Sequence, residues 1–362
     1  MPTAELPQYA QIKRRLIAQI TAGTWQVGAQ FPSEAQLLSK YKVSRATLVR
    51  SLHDLVREGY LTRRQGQGTF VADYVANRKR NETTTIPLFI SAATYALSGN
   101  ARQVLLRILY GIETALGPAH PGVNIRQVSD RTLDGDALRM LEQLKPSCAF
   151  IVEPSFNPQL VAALAKVGCV AWGLNEPSDD GNCVYIDQER AGYLATRWLL
   201  QQGRRRVALL NGKVNAYWGF AARERGYRKA MDGAGVEVDP RLVREGQHAI
   251  DSEAGRAMMR AILEEAVEVD GVVGASDSKA MGAMAAAQEA GRRLPEDIAV
   301  VSIDNTIAAQ AEPPLTAVAM PFDEVGRQAA LRLKEIQQNP AALPEAVAAQ
   351  QIRLQPTLVE RF

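Results

Sequence analysis

The sequence predicts an α/β protein, with a small winged helix-turn-helix domain followed by a larger, two-lobed body of parallel sheets. Three observations predict it. The first seventy or so residues read as three short helices and a two-stranded wing. The remainder alternates short β-branched runs with helical stretches of about 10–18 residues. The charge is also divided: residues 1–80 hold 13 Lys and Arg against 5 Asp and Glu, the remainder 29 against 34, within a net charge of only +3. A basic segment on a mildly acidic body suits a phosphate backbone or is simply a basic solvated face, and charge alone leaves both open.

From Gln8 to Thr21, Tyr9, Ile12, Leu16, Ile17 and Ile20 recur at helical spacing behind Pro7, and Gly23 ends the helix. Ser33 and Gln36 have capping-box spacing, which opens a short helix running to about Tyr41. Ser44 caps a third helix that runs to Glu58 and stops at Gly59, with Val43 and Leu48 placed as a hydrophobic staple. Two short helices joined by a tight turn form a helix-turn-helix. Leu48, Leu52, Leu55 and Val56 make one stripe for the core, so Ser44, Arg45, Thr47 and Arg50 face outward, with Val49 near the core edge. That end of such a helix enters the DNA major groove, where Arg binds guanine bidentately. Residues 60–64 and 69–71 read as the strands of a wing around Gln65-Gly66-Gln67-Gly68, with Arg63 and Arg64 suited to phosphates.

The ordered segments LPQYAQI, FPSEAQL, YKVSRATL and LVREGYLTRRQGQGTFV over residues 6–72 resemble the GntR family of winged helix-turn-helix regulators. The resemblance implies DNA contacts at Glu34, Arg45, Thr47, Gln65, Gly66 and Gly68. Tyr9, Ser33, Ser44, Arg50, Arg63 and Thr69 complete the candidate DNA-binding set. One departure stands out: Val49 occupies the place of a usual family Arg. Either Arg50 takes over that contact or the operator differs there. Residues 73–85 lack apolar periodicity and carry Arg78-Lys79-Arg80, which reads as a linker, with or without a contact to flanking DNA.

In the body, strands are expected at 86–91, 123–128, 148–152, 169–173, 206–211, 271–275 and 298–303. A run of this length suggests two lobes rather than one sheet. Sites in such sheets lie beyond the carboxyl ends of strands. Thr94 and Tyr95, Glu153, Ser276 and Asp277, and Asp304 and Asn305 all follow strands, as does the group Tyr217, Trp218, Phe220 and Arg223. Aromatic faces beside carboxylates and an arginine fork suit a sugar. Each residue also has a plainer role open to it: Asp304 as a helix cap, Trp218 and Phe220 as core, Arg223 as a partner of Glu224.

The segments YIDQERAGYLATRWLLQQGRRRVALLNG, RERGYRKAMDGAG, ASDSKAMGAMAAAQEAGRRLPEDIAVVSIDN, PPLTAVAMPFDEVGRQAA and LQPTLVERF resemble the LacI/GalR effector domain over essentially all of 86–362. That resemblance implies a periplasmic-binding-protein-like fold with a ligand cleft, and it matches Arg223, Asp304 and Phe322 to ligand positions, with Ser276 where Asn is common. It places lobe one at about 86–187 plus 306–340 and lobe two at about 188–305 plus 341–362, and it implies a homodimer. The pairing of the two families, with FIVEPSF, resembles the arabinose-repressor group. No LacI-type hinge helix is read after the wing.

Other classes are set aside on composition and motifs. With 46% apolar and 22% charged residues, the chain is neither disordered nor fibrous. Runs such as VALL and AVVSI are far too short to span a membrane, and the N-terminal residues lack a secretory apolar stretch, so a cytoplasmic protein is expected. Three cysteines and three histidines in no metal-type spacing suggest neither a disulfide framework nor a metal site, and no cofactor is expected. GxxxxGK[ST], GxSxG and HExxH are absent, and Lys279 lies in ASDSKAMGA rather than in a pyridoxal phosphate setting, which argues against an enzyme. The expectation is a transcriptional repressor binding double-stranded operator DNA under control of a small molecule, a sugar by preference. The alternative is a regulator responding to a non-sugar metabolite or a protein partner.

Overall fold

The computed structural model describes residues 8–57, 60–64, 68–73, 85–91, 100–118, 120, 122–129, 135–144, 146–153, 157–179, 181–246, 252–338 and 349–361. The chain divides into two compact units, Met1–Thr85 and Ile86–Phe362. In the first, α1 (Gln8–Thr21), α2 (Glu34–Tyr41) and α3 (Arg45–Arg57) precede a wing of two antiparallel strands, β1 (Leu61–Arg64) and β2 (Gly68–Val71). The apolar periodicity explains the assembly. Ile12, Leu16 and Ile20 meet Leu37 and the α3 stripe Leu48, Leu52 and Leu55, and Leu61 and Val71 close the cluster from the wing. Both expected caps form. The Ser33 hydroxyl accepts the Gln36 N–H while the Gln36 side chain accepts the Ser33 N–H at 2.8 Å, and the Ser44 hydroxyl accepts the Thr47 N–H at 3.2 Å.

The second unit starts with β3 (Ile86–Ser91), α4 (Asn100–Leu116), β4 (Val123–Val128), α5 (Gly135–Leu144), β5 (Cys148–Val152), α6 (Pro158–Lys166), β6 (Val170–Leu174) and β7 (Asn182–Ile186). Next come α7 (Gln188–Gln201), β8 (Val207–Gly212), α8 (Trp218–Gly233), β9 (Val243–Gly246), α9 (Ser252–Glu264), β10 (Gly271–Gly274), α10 (Asp277–Glu289), β11 (Ala299–Asp304) and β12 (Thr316–Ala319). The last elements are α11 (Phe322–Gln338), β13 (Gln351–Leu354) and β14 (Thr357–Val359). They build two six-stranded sheets, ordered β13-β7-β6-β5-β3-β4 and β14-β12-β11-β10-β8-β9, parallel throughout except that β14 runs against β12. The two lobes of parallel sheet expected from the alternating pattern are therefore present. In each, the strand order reverses once, beside β3 and β5 in the first and beside β8 and β10 in the second, and such reversals open crevices for ligands.

The expected division between lobes needs correction. Residues 316–319 form β12 in the second sheet, whereas 351–354 form β13 in the first, pairing Gln351 with Cys183. The chain therefore leaves the second sheet after Ala319 and returns to it between Leu354 and Thr357. TAVA, QIRL and TLV are too short for a local pattern to name their sheet; the edge that supplies the hydrogen-bond ladder decides it. Strands β7, β9, β12, β13 and β14 were not anticipated from the sequence for the same reason.

Candidate nucleic-acid interface and ligand cleft

On the first unit, the outer face of α3 carries Ser44, Arg45, Ala46 and Arg50, all exposed. Much of its polar chemistry is already engaged within the domain. The Ser44 and Thr47 hydroxyls lie 2.8 Å apart, and the Arg45 Nε stands 3.6 Å from the Glu34 carboxylate. The Arg50 guanidinium sits 3.9 Å from the centroid of the Tyr9 ring, a cation–π stack that gives both residues a role inside the domain. The outward reach expected of Arg50 is thus taken up by Tyr9. Val49, expected near the core edge, is 36% exposed. Ser33 is exposed at its cap position. In the wing, Arg63 is exposed, Arg64 stacks 4.5 Å from the Phe70 centroid, and the Thr69 carbonyl accepts the Phe31 N–H at 2.7 Å. Gly68 has φ +109, a conformation open to glycine and costly to other residues. Gln65 and Gly66 lie outside the described residues.

In the second unit, Arg223 is the hub of a buried polar network. α7 and α8 pack so closely at Gly192 and Gly226 that a Cβ on either would strike the other helix's backbone. This approach carries Arg223, one turn into α8, inward to 5% exposure. Its Nε donates to Gln188 Oε1 at 2.8 Å, one Nη donates to the Ala275 carbonyl, and Nη2 lies 3.3 Å from Asp304 Oδ1. Asp304 ends β11 with φ 122, so it is not a helix cap, and Glu224 pairs with Arg228 instead of Arg223. Ala275 follows β10, so Arg223 ties together the ends of two neighbouring strands.

Contacts from this network cross between the lobes. Asn175, immediately after β6 of the first sheet, donates from Nδ2 to the Tyr217 hydroxyl at 3.2 Å, and Trp218 Nε1 donates to the Asn175 carbonyl at 3.2 Å. Tyr217 packs edge-on to Phe220, with centroids 5.3 Å apart and planes at 84°. Phe220 is held against Gly212, where a Cβ would collide with its ring. Glu153 follows β5 at the reversal point of the first sheet, in the left-handed region at φ 51. Burial and then the nearby Glu176 carboxylate push its pKa up to about 7, against the opposing pull of Asn175 and Arg223. Burial also raises the Tyr217 phenol, which sits amid Glu153, Arg223, Glu176 and Asp304.

The strand-end rule brings Glu153, Trp218, Phe220, Arg223 and Asp304 into one constellation. Ser276, singled out by the same rule, and Phe322, matched through the family resemblance, have roles inside the fold. Ser276 is 2% exposed and caps α10, its hydroxyl accepting the Lys279 N–H at 3.3 Å. Phe322 is buried in the main apolar cluster. Asp277 is wholly structural: its carboxylate accepts from the Ser302 hydroxyl and from the backbone N–H groups of Asn305, Thr306 and Ile307, fixing the turn after β11. Thr94 and Tyr95 lie outside the described residues. Asn175, Glu176 and Gln188 were missed, although the first two follow β6 and satisfied the same rule. Among the described residues no cluster of His, Cys, Asp or Glu could hold a metal, and no helix is long and apolar enough to cross a membrane.

A winged helix-turn-helix and a two-lobed body with a buried charged and aromatic cluster where its lobes meet define a class: a DNA-binding type of head joined to a two-lobed α/β body. Comparison with known proteins gives the families. Residues 8–71 match the bacterial regulatory proteins of the gntR family, and residues 184–361 match the periplasmic binding protein-like domain. The chain is 40% identical over 158 residues to the HTH-type transcriptional regulator CelR of Thermobifida fusca, covering 43% of this chain and 46% of that protein. It thus spans less than half the length of that relative. The HTH-type transcriptional repressor CytR of Escherichia coli K12 is 28% identical over 314 residues, 84% of each chain. The structure of a transcriptional regulator CelR–cellobiose complex superposes with a TM-score of 0.60 at 26% identity, covering 100% of this chain and 99% of the other. The chain thus joins a segment that matches the gntR-type regulatory proteins to a segment that matches the periplasmic binding protein-like domain, and the named relatives are described as transcription regulators.

Proposed function

We propose that the protein is a sequence-specific, non-catalytic transcription regulator of the cytoplasm, a repressor whose operator affinity is set by a small sugar bound between the lobes. The observation that carries the reading is the hydrogen-bonded bridge from Asn175 of the first lobe to Tyr217 and Trp218 of the second, beside the buried Arg223–Asp304 pair. A sugar entering there meets aromatic faces for its C–H surfaces and carboxylates, amides and a guanidinium for its hydroxyls. It also alters contacts on which the relative setting of the lobes depends. A pair of such chains would present two heads to a pseudo-palindromic operator, with Arg45, Thr47 and Arg63 among the DNA contacts. A differential affinity of about 1–3 kcal/mol between lobe settings gives about 5–150-fold control.

Within this class the arabinose-repressor group is the finer assignment, supported by the pairing of the two domain types and by FIVEPSF at the Glu153 strand end. Relatives in the CelR line make cellobiose a ligand to try alongside pentoses and hexoses. The non-sugar alternative has one supporting observation: Glu153 and Glu176 set two carboxylates together, which a cationic metabolite would neutralise. Fluorescence anisotropy on the DNA upstream of the gene, at fixed salt, with and without each sugar, tests the proposal. A several-fold shift by one sugar supports it. Tight DNA binding that responds to no sugar, but to an amine-bearing metabolite, transfers the body to the alternative.

A further inference from the structure

We infer that Val49 reads the 5-methyl group of a thymine in the operator half-site. The inference rests on the DNA-binding reading above and deepens it by naming a base. Arg45, Val49 and His53 stand at successive i, i+4 positions of α3 and are all exposed, forming a ridge that borders the buried stripe of Leu48 and Leu52. The polar neighbours of Val49 each have a partner within the domain. Thr47 is paired with Ser44, Arg50 is stacked on Tyr9, and Arg45 is held toward Glu34. Ala46, exposed beside Val49, adds a second apolar surface. Val49 and Ala46 thus set methyl groups among the polar side chains of the exposed face. An apolar side chain in the major groove has one matching methyl group to meet, the thymine C5-methyl; cytosine offers only a C5–H in its place, and the purine edges offer donors and acceptors. A solvated valine at 36% exposure gains by that contact and has nothing to hydrogen-bond to any other base.

The test uses the full-length protein. Its preferred sequence is selected from random duplex DNA, and each thymine of the selected site is then replaced singly by deoxyuridine, which removes only the methyl group. Affinity is read by anisotropy at fixed salt. The expected result is one position per half-site at which deoxyuridine weakens binding about three- to fivefold, the worth of one methyl group taken from water. Val49→Ala should bind the thymine and deoxyuridine sites nearly alike, and Val49→Ile should keep the preference. Both variants leave the apolar cluster of the domain untouched, and circular dichroism confirms their folding. Selective binding with no methyl-sensitive position, or a methyl sensitivity unchanged in Val49→Ala, overturns the role of Val49 while leaving the DNA reading intact. Absence of any sequence-selective binding overturns both.

Discussion

Two arginine–carboxylate pairs of similar length do opposite work in this protein. Arg45 and Glu34 meet at 3.6 Å on the head with side chains 78% and 39% exposed, whereas Arg223 and Asp304 meet at 3.3 Å in the cleft with side chains 6% and 7% exposed. Water screens the first pair, so it holds the arginine lightly and leaves it free to move onto a base or a phosphate. The second pair is desolvated on both sides, and the Arg223 charge is compensated by Asp304 together with Gln188 and the Ala275 carbonyl. A contact reader needs the first kind of arginine. A hub connecting strand ends needs the second, because a change at one member is felt by the rest.

The largest effect should come from breaking the buried pair. Asp304→Asn leaves the Arg223 charge uncompensated and should destabilise the body by about 3–5 kcal/mol in urea unfolding. It should also abolish the ligand response of DNA binding. An unchanged midpoint would show that the cluster is open to water and that the contrast is false. The packing that places Arg223 is the next test. Gly226→Ala drives a Cβ into the α7 backbone at Glu189 and should cost about 1–3 kcal/mol, with the loss confined to the body's transition.

The acidic side of the cleft sharpens the comparison through pH. With its pKa raised to about 7 against an ordinary 4.5, Glu153 binds a proton more tightly in the folded state. Its contribution to stability is present in full below the ordinary value and is lost as pH rises toward 7. Urea midpoints at steps across that window should show a fall in the native protein that Glu153→Gln removes; parallel curves would place the titration elsewhere. The smallest effect on stability belongs to the head. Arg45→Ala should change its unfolding free energy by less than about 1 kcal/mol. Yet it should weaken operator binding, measured by anisotropy, by about 1–3 kcal/mol if Arg45 forks onto a base. Equal effects on stability and affinity would mean that Arg45 acts as a structural ion pair.

The head was almost wholly legible in the sequence because its signals are local. The capping pair Ser33–Gln36, the Ser44 cap and the Leu48, Leu52 and Leu55 stripe each act within a few residues, and the structure places all of them as read. The cleft was legible in part. Glu153, Arg223 and Asp304, which the structure gathers, were singled out by position after strands, a rule of topology that the alternating pattern makes readable. Asn175 escaped although it obeys the same rule, because β6 was the only clue and the residue's value lies in reaching Tyr217 of the other lobe.

By itself, then, the sequence determined a three-helix winged head, two lobes of parallel sheet and the strand ends at which chemistry gathers. Helix caps and apolar periods depend on neighbours three or four residues away, and strands on neighbours two away. Only the tertiary structure decided that β12 and β13 belong to opposite sheets, that Phe322 and Ser276 serve the interior, and that Arg50 rests on Tyr9 and leaves Val49 outward. Each of these depends on a partner brought close by folding, such as a free strand edge, a core cavity or an aromatic face, and nothing in the local sequence specifies which partner will be there.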